Sequence, residues 1–399
     1  MRNWFSPQMP EEVSKEDIFA REDEFHHWNV FPFDLVENGY EGVIDKLKSY
    51  KATDYEKLDD IGKERMVDEV LAIYREVDVF PIQYFSDAGI INEISKCIEY
   101  PAKFDGNVVS CGAGVGTVVC NYLFPNLFDV PSQHDLTKDK KGAETAYLKF
   151  KSDEFLRRSI KFCFSYKNGC PVPTNVMGGL RLVGSTPTNF RPMNAKAIYE
   201  RFAPKGGVIY DYCCGFGGRL LGCLSSKNNY KYVGTDPNTE TMYNLHRLGE
   251  YIEMVTGRED SYELHCCGSE DFRGPANSVD FAFSSPPYFD LEVYSNEPTQ
   301  CFNKFPELVQ WLEGYVRGTI KNIYHMLKPG CCYAVNIADF KVRGGQEVAY
   351  VDEWIRISTE EGMPLYDTVY LGVTARAGTK LQAAGELKKE NILVFKKPL

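Results

Sequence analysis

The chain has 399 residues, 43% hydrophobic and 25% charged, the makeup of a globular protein with room for one large α/β domain and a second module. A formal charge of -11 excludes a broadly sticky polyanion binder, because nonspecific phosphate attraction needs concentrated positive charge; a local basic groove stays open. No apolar run reaches membrane-spanning length, Met1 to Pro10 lacks the parts of a signal peptide, and 13 scattered cysteines without a C-x-x-C predict reduced thiols in the cytoplasm and no metal site.

Met1 to about Ala52 is acidic and aromatic, mixing a charged helix with the irregular stretch Phe25-His26-His27-Trp28. The histidine pair has no carboxylate or cysteine at helical ligand spacing, so packing or exposure explains it better than a metal. Asp54 to Asp78 repeats apolar residues near the helical period and predicts a surface helix. A glycine-rich turn, Gly112-Ala113-Gly114-Val115-Gly116, follows Val108-Val109 and precedes an apolar helix over Val118 to Leu123. No acid closes a clear strand after it, which favours close helix packing or a backbone approach to a ligand over a second nucleotide site. Ala143 to Tyr166 predicts a helix carrying Lys149, Lys151, Arg157, Arg158 and Lys161, preceded by Lys138, Lys140 and Lys141. Such a run is usually a solvated face, and it is also the N-terminal half's best candidate for phosphate contacts. Turn-rich stretches at Asn168 to Pro173 and Gly184 to Thr188 place a boundary near residue 185, between a mainly helical module over 1–185 and a second domain over 186–399.

The second domain opens with Asn189-Phe190-Arg191-Pro192 and a helix over Met193 to Phe202. A β-rich run, Val208 to Tyr212, then enters the turn Cys213-Cys214-Gly215-Phe216-Gly217-Gly218, a helix from Arg219 to Leu224 leaves it, and a second strand, Tyr230 to Gly234, ends on Thr235-Asp236-Pro237. An acid at the end of that second strand is placed to accept hydrogen bonds from a ribose diol. The turn is not G-x-G-x-x-G, and Asp211 on the first strand would repel a pyrophosphate but could hold an ammonium. A helix over Thr239 to Val255, a strand over Tyr262 to Cys266 and the turn Gly268-Ser269-Glu270-Asp271-Phe272 follow. Strand Val279 to Ser284 runs into Ser285-Pro286-Pro287-Tyr288. Phe305 to Leu327 predicts an amphipathic helix stopped by Lys328-Pro329-Gly330; Cys331 to Ile337 and Asn391 to Phe395 predict strands, and Asp352 to Glu361 a helix. Lys341 to Gly345 and Ala375 to Lys380 are basic, glycine-bearing loops expected to face a substrate.

Taken together, the glycine turn, Asp211, Asp236 and Ser285 to Tyr288 resemble the class I S-adenosylmethionine-dependent methyltransferases, specifically those that methylate exocyclic amino groups of nucleic-acid bases. The resemblance covers Asn189 to Pro398 and implies a Rossmann-like α/β sheet with helices on both faces. It implies S-adenosylmethionine as cofactor, with Phe190 beside the sulfonium and Arg191 on the cofactor's carboxylate or a DNA phosphate. Asp211, Cys213, Gly215 and Gly217 would cradle the methionine end, Asp236 and Pro237 the ribose, and Asp271, or second Glu270, would accept from the adenine amine. An exocyclic amine is a poor nucleophile because its lone pair is delocalised into the ring. Ser285 Oγ and the Pro286 carbonyl, held rigid by Pro286 and Pro287, would accept its two N–H groups while Tyr288 stacks on the extruded base.

Serine in that motif tilts the target toward N4 of cytosine over N6 of adenine, and Asp290 and Glu292 are candidates for the base edge. The implied partner is double-stranded DNA with a flipped base. RNA, or a binding module with a relic cofactor fold, is the alternative, while a protein-glutamine methyltransferase would call for Asn where Ser285 stands. One departure stands out: neither position where the family carries a target-recognition region has room for one here, which leaves the N-terminal half to grip the nucleic acid.

Overall fold

The computed structural model describes residues 12–25, 40–78, 80–111, 114–131, 145–166, 168–182, 188–341, 347–374 and 387–399. His26 and His27, Gly112 and Ala113, Lys138 to Lys141, residue 185 and most of the two C-terminal basic loops lie outside them.

Eleven strands are present among the described residues: β1 (Phe104–Asp105), β2 (Val108–Val109), β3 (Gly207–Asp211), β4 (Tyr230–Thr235), β5 (Tyr262–His265), β6 (Val279–Ser284), β7 (Leu327–Ile337), β8 (Phe340–Lys341), β9 (Glu347–Val348), β10 (Leu365–Thr374) and β11 (Leu387–Lys396). Nine form one sheet in the order β1-β2-β10-β11-β7-β6-β3-β4-β5, and β8 and β9 pair separately. β5, β4, β3, β6 and β7 run parallel, while β11 is inserted antiparallel between β7 and β10. This is the expected Rossmann-like sheet with its last strands paired antiparallel. The chain order reverses between β3 and β6, so the crevice that receives ligands in open α/β sheets falls at the ends of these two strands.

Both faces of the sheet are buried. Ile209, Phe281 and Phe283 join one apolar cluster with the helices Gly218–Leu224 and Thr239–Thr256. Their neighbours Tyr210, Tyr212 and Ala282 join a second cluster with Trp311, Ile320 and Trp354. Alternation along a strand sends successive side chains to opposite layers, and both layers are filled. Local chemistry sets the ends of the long helix after β4. The Asn238 side chain accepts the Thr241 N–H at 3.0 Å, and Gly257, at φ 65°, donates its N–H to the Glu253 carbonyl.

The first sheet-flanking core does not stop at residue 185. Ile18, Phe25, Ile94, Val109 and Leu123 belong to it, and β2 pairs in parallel with β10 through Tyr370↔Val108. A third cluster, from Leu47 to Leu180, is mainly helical and is the part of the N-terminal half that has a core of its own. The predicted helix over Ala143 to Tyr166 is two helices, Ala146–Lys151 and Asp153–Phe164, broken at Ser152. Four of its cations are bound to acids of the chain: Lys151 to Asp78 at 2.7 Å, Arg158 to Glu154 at 2.7 Å, Lys161 to Glu64 and Arg157 to Asp68. The helix expected over Phe305 to Leu327 runs from Leu308 to Met326, Leu308–Trp311 and Arg317–Met326 being joined by a π-helical turn at Leu312–Val316, and a short separate helix, Cys301–Lys304, precedes it. Its predicted stop, Lys328-Pro329-Gly330, lies inside β7.

Candidate active site

β3 and β6 lie side by side, and the turns that leave them meet. Ser284 Oγ, the last side chain of β6, donates to Asp211 Oδ1 at 2.7 Å and lies 3.2 Å from the Cys213 carbonyl. The Ser285-Pro286-Pro287-Tyr288 turn is thereby fixed against the first residues of the glycine turn. Ser285 Oγ is 3.3 Å from the Asn336 carbonyl, toward which it donates, leaving its oxygen lone pairs to accept an N–H. Tyr288 is held on three sides. Its hydroxyl accepts the Ala338 N–H at 3.0 Å, its own N–H donates to the buried Glu292 at 3.2 Å, and its ring meets Phe340 edge-on at 5.5 Å. Burial pushes the Tyr288 hydroxyl well above its ordinary pKa.

The ribose candidate is also in place. Asp236 follows β4 directly and accepts the Gly215 N–H at 2.9 Å and the Asn238 N–H at 3.0 Å, so the glycine turn closes over it. Gly215 and Gly217 take the left-handed conformation, at φ 55° and 76°, that lets the turn make this approach. Burial raises the Asp236 carboxyl to about 6, with the two amides pulling the other way and Asp211 and Glu297 adding to the rise. Each oxygen keeps lone-pair capacity for a hydroxyl donor.

Asp211 has a different job from the one its sequence position suggests. Its Oδ2 accepts Arg219 Nε at 2.8 Å and the Tyr232 hydroxyl at 2.8 Å, and its Oδ1 accepts Ser284 Oγ and, at 3.3 Å, the Cys213 N–H. The pair Asp211–Arg219 is buried, with side-chain exposures of 0% and 6%. A carboxylate with four donors on it has no acceptor site left for an ammonium, so Asp211 is the knot that ties β3, β4, β6 and the turn together. Phe190 is displaced from its expected role for the same reason: its ring lies 5.6 Å from the Arg219 guanidinium and 5.5 Å from Phe283, so a cation of the chain already sits over it. Arg191 precedes the helix Pro192–Phe202 and is partly exposed.

In the turn after β5, Glu270 and Asp271 share one counterion, Lys304, whose distance along the chain hid it from a sequence reading. Glu270 is the more buried, and its Oε2 has no hydrogen-bond partner among the described residues, so Glu270 rather than Asp271 has an acceptor to spare. Burial raises its carboxyl against the opposing pull of Lys304.

The segment after Tyr288 crosses the Asp236 side of the site. Glu297 accepts from Thr239 Oγ1 at 2.5 Å, Thr299 Oγ1 donates to the Pro237 carbonyl at 3.2 Å, and the Tyr294 ring lies 5.9 Å from Phe216 in the glycine turn. Nothing in the sequence between Phe289 and Gln300 signalled this strap, whose contacts to Thr239, Pro237 and Phe216 are long-range. The cysteines around the site, Cys213, Cys214, Cys266 and Cys267 among them, are free thiols, and burial raises each of the four.

No protein-family model matches the sequence, and no curated protein matches it. Among solved structures, a [4+2]-cyclase, SpnF, is 16% identical with a TM-score of 0.36, over 52% of this chain and 82% of that one. Phosphoethanolamine N-methyltransferase 2 of Haemonchus contortus, bound to phosphomonomethylethanolamine and S-adenosylhomocysteine, is 16% identical with a TM-score of 0.33, over 51% of this chain and 52% of that one. The geranyl diphosphate C-methyltransferase of Streptomyces coelicolor A3(2) is 12% identical with a TM-score of 0.34, over 50% of this chain and 78% of that one. Likenesses this loose carry no argument about what this chain does.

Proposed function

We propose that the chain transfers a methyl group from S-adenosylmethionine to the exocyclic amine of an extruded nucleic-acid base, in DNA and on N4 of cytosine before N6 of adenine. The observation that carries this reading is the Ser284 Oγ bridge to Asp211 and Cys213, which puts the proline turn beside the glycine turn. The residues present fit the cofactor: Asp236 is half-buried with acceptor capacity left, and Glu270 has an orphaned buried oxygen where an adenine amine would come.

S-adenosylmethionine supplies an electrophilic methyl group on a sulfonium. The chain's part is to make a weak nucleophile attack it. Ser285, its proton directed at Asn336, accepts one N–H of the amine, and the Pro286 carbonyl accepts the other, which turns the nitrogen lone pair out of conjugation. Tyr288, anchored through its hydroxyl and its amide, provides a fixed aromatic surface for the base. Positioning supplies the acceleration, with no covalent intermediate on the protein.

The test is incubation of the purified chain with isotopically labelled S-adenosylmethionine and either duplex DNA or structured RNA, followed by mass spectrometry of the released nucleosides. Label in N4-methylcytosine from DNA supports the reading. Label in RNA alone moves the substrate, and a chain that binds no cofactor by calorimetry is a binding module instead.

A further inference from the structure

The glycine-rich turn before Thr117 is not used by the mechanism above, and the helix that follows it has an unusual feature. Thr117 Oγ1 and Asn121 Oδ1, one helical turn apart on the helix Thr117–Leu123, are buried and have no hydrogen-bond partner among the described residues. Two unpartnered buried oxygens on one face cost stability unless something fills their need.

The position of this helix says what that is. At its start, a Cβ on Gly116 would come within 3.1 Å of Pro192 Cγ and 3.0 Å of Leu221 Cδ2. Past its end, the Phe124 ring reaches within 2.5 Å of where a Gly217 Cβ would stand, and it packs edge-on against Phe216 at 6.4 Å. The helix therefore runs from the segment Phe190-Arg191-Pro192 to the glycine turn, the two stretches between which the amino-acid tail of the cofactor would lie. Asp211, the acid at that end, is saturated by Arg219, Tyr232, Ser284 and Cys213. An ammonium carries three N–H donors and needs oxygen acceptors from elsewhere.

We propose that Thr117 and Asn121 accept the ammonium of the cofactor's amino-acid tail, so that the N-terminal half completes the cofactor site. The inference rests on the reading of the chain as an S-adenosylmethionine enzyme and adds a subsite to it. The experiment is calorimetry on the full chain and on the double variant Thr117→Val/Asn121→Leu with three probes: S-adenosylmethionine, its decarboxylated analogue, which keeps the ammonium, and methylthioadenosine, which lacks the whole tail.

The double variant is expected to lose about tenfold or more in affinity for the first two probes, the worth of a charge-assisted hydrogen bond. It is expected to keep its methylthioadenosine affinity and to unfold at the same or a higher Tm, because each substitution removes an unpartnered polar atom. Equal loss on all three probes, or a lowered Tm, means that the two oxygens serve the fold and overturns the proposal. No loss on any probe overturns it too, as does loss on S-adenosylmethionine with the decarboxylated analogue spared, which would assign the pair to the carboxylate. A wild-type chain that binds none of the probes sinks the cofactor reading itself, whereas normal wild-type binding with an unchanged variant sinks this inference alone.

Discussion

Two glycine-rich turns, each entered from a strand and left by a seven-residue helix, have come to opposite uses in this chain. In the turn at Gly215 to Gly218, the entering strand is central, the next strand is its parallel neighbour, and that neighbour delivers Asp236 into the loop. In the turn ending at Gly116, the entering strand is two residues long and second from the sheet's edge, and among the described residues no strand lies between the turn and β3 to bring an acid. Its last glycine is instead a packing point against Cys97, Pro192 and Leu221. Glycines permit a tight turn; what the turn becomes depends on the strand that comes next to it.

The sharpest way to break the comparison is to untie the first turn. Arg219→Met leaves Asp211 buried without its counterion, and the expected loss is about 3–5 kcal/mol in urea unfolding. A loss below about 1 kcal/mol would mean that the Asp211 knot is not what sets this turn apart. Ser285→Ala should slow methyl transfer about a hundredfold through lost positioning, with the cofactor's calorimetric affinity unchanged. Full activity would separate the glycine turn from the reacting site. Asp236→Asn should weaken methylthioadenosine about tenfold, since a neutral amide accepts from ribose hydroxyls less strongly than a carboxylate.

The smallest effect is the pH dependence of the unsubstituted chain. The folded Asp236 carboxyl sits near 6 against 3.8 unfolded, so between these values the folded state holds a proton that the unfolded state lacks, and its contribution to stability falls as pH rises through this window. Nucleoside affinity has the opposite sense. It needs the ionised carboxylate, so it should drop up to about tenfold from pH 7 to pH 5, and this slope should vanish in Asp236→Asn.

The central unit was legible because its signals are local. The β-rich run, the glycine turn and the acid after the next strand are read within Val208 to Pro237, and Val279 to Tyr288 follows the same logic. What could not be read depends on which side chains fold onto which, near or far along the chain. Asp211 looks like a free acid until Arg219 and Tyr232 fold onto it, and Glu270 and Asp271 look unpaired until Lys304 arrives. β1 and β2 are too short for any periodicity, and they exist because β10 offers an open edge. Pro329 and Gly330 read as a helix stop, and the helix does end just before them at Met326; what the sequence did not signal is that β7 begins at once at Leu327 and includes them, with Gly330 at φ 77°. The basic helix read as a phosphate grip because its acid partners, Glu64, Asp68 and Asp78, lie on or beside a different helix, Asp60–Val77.

The strap from Tyr288 to Gln300 couples two events that most schemes treat separately. It begins at the tyrosine proposed for the base and is buttoned to Pro237 and Thr239, beside the proposed ribose acceptor Asp236. A spent nucleoside could leave only after those buttons open, and opening them pulls on the same backbone that holds the tyrosine. Departure of one product would then loosen the grip on the other, and turnover would be governed by how fast the strap unfastens and not by how fast the bond is made.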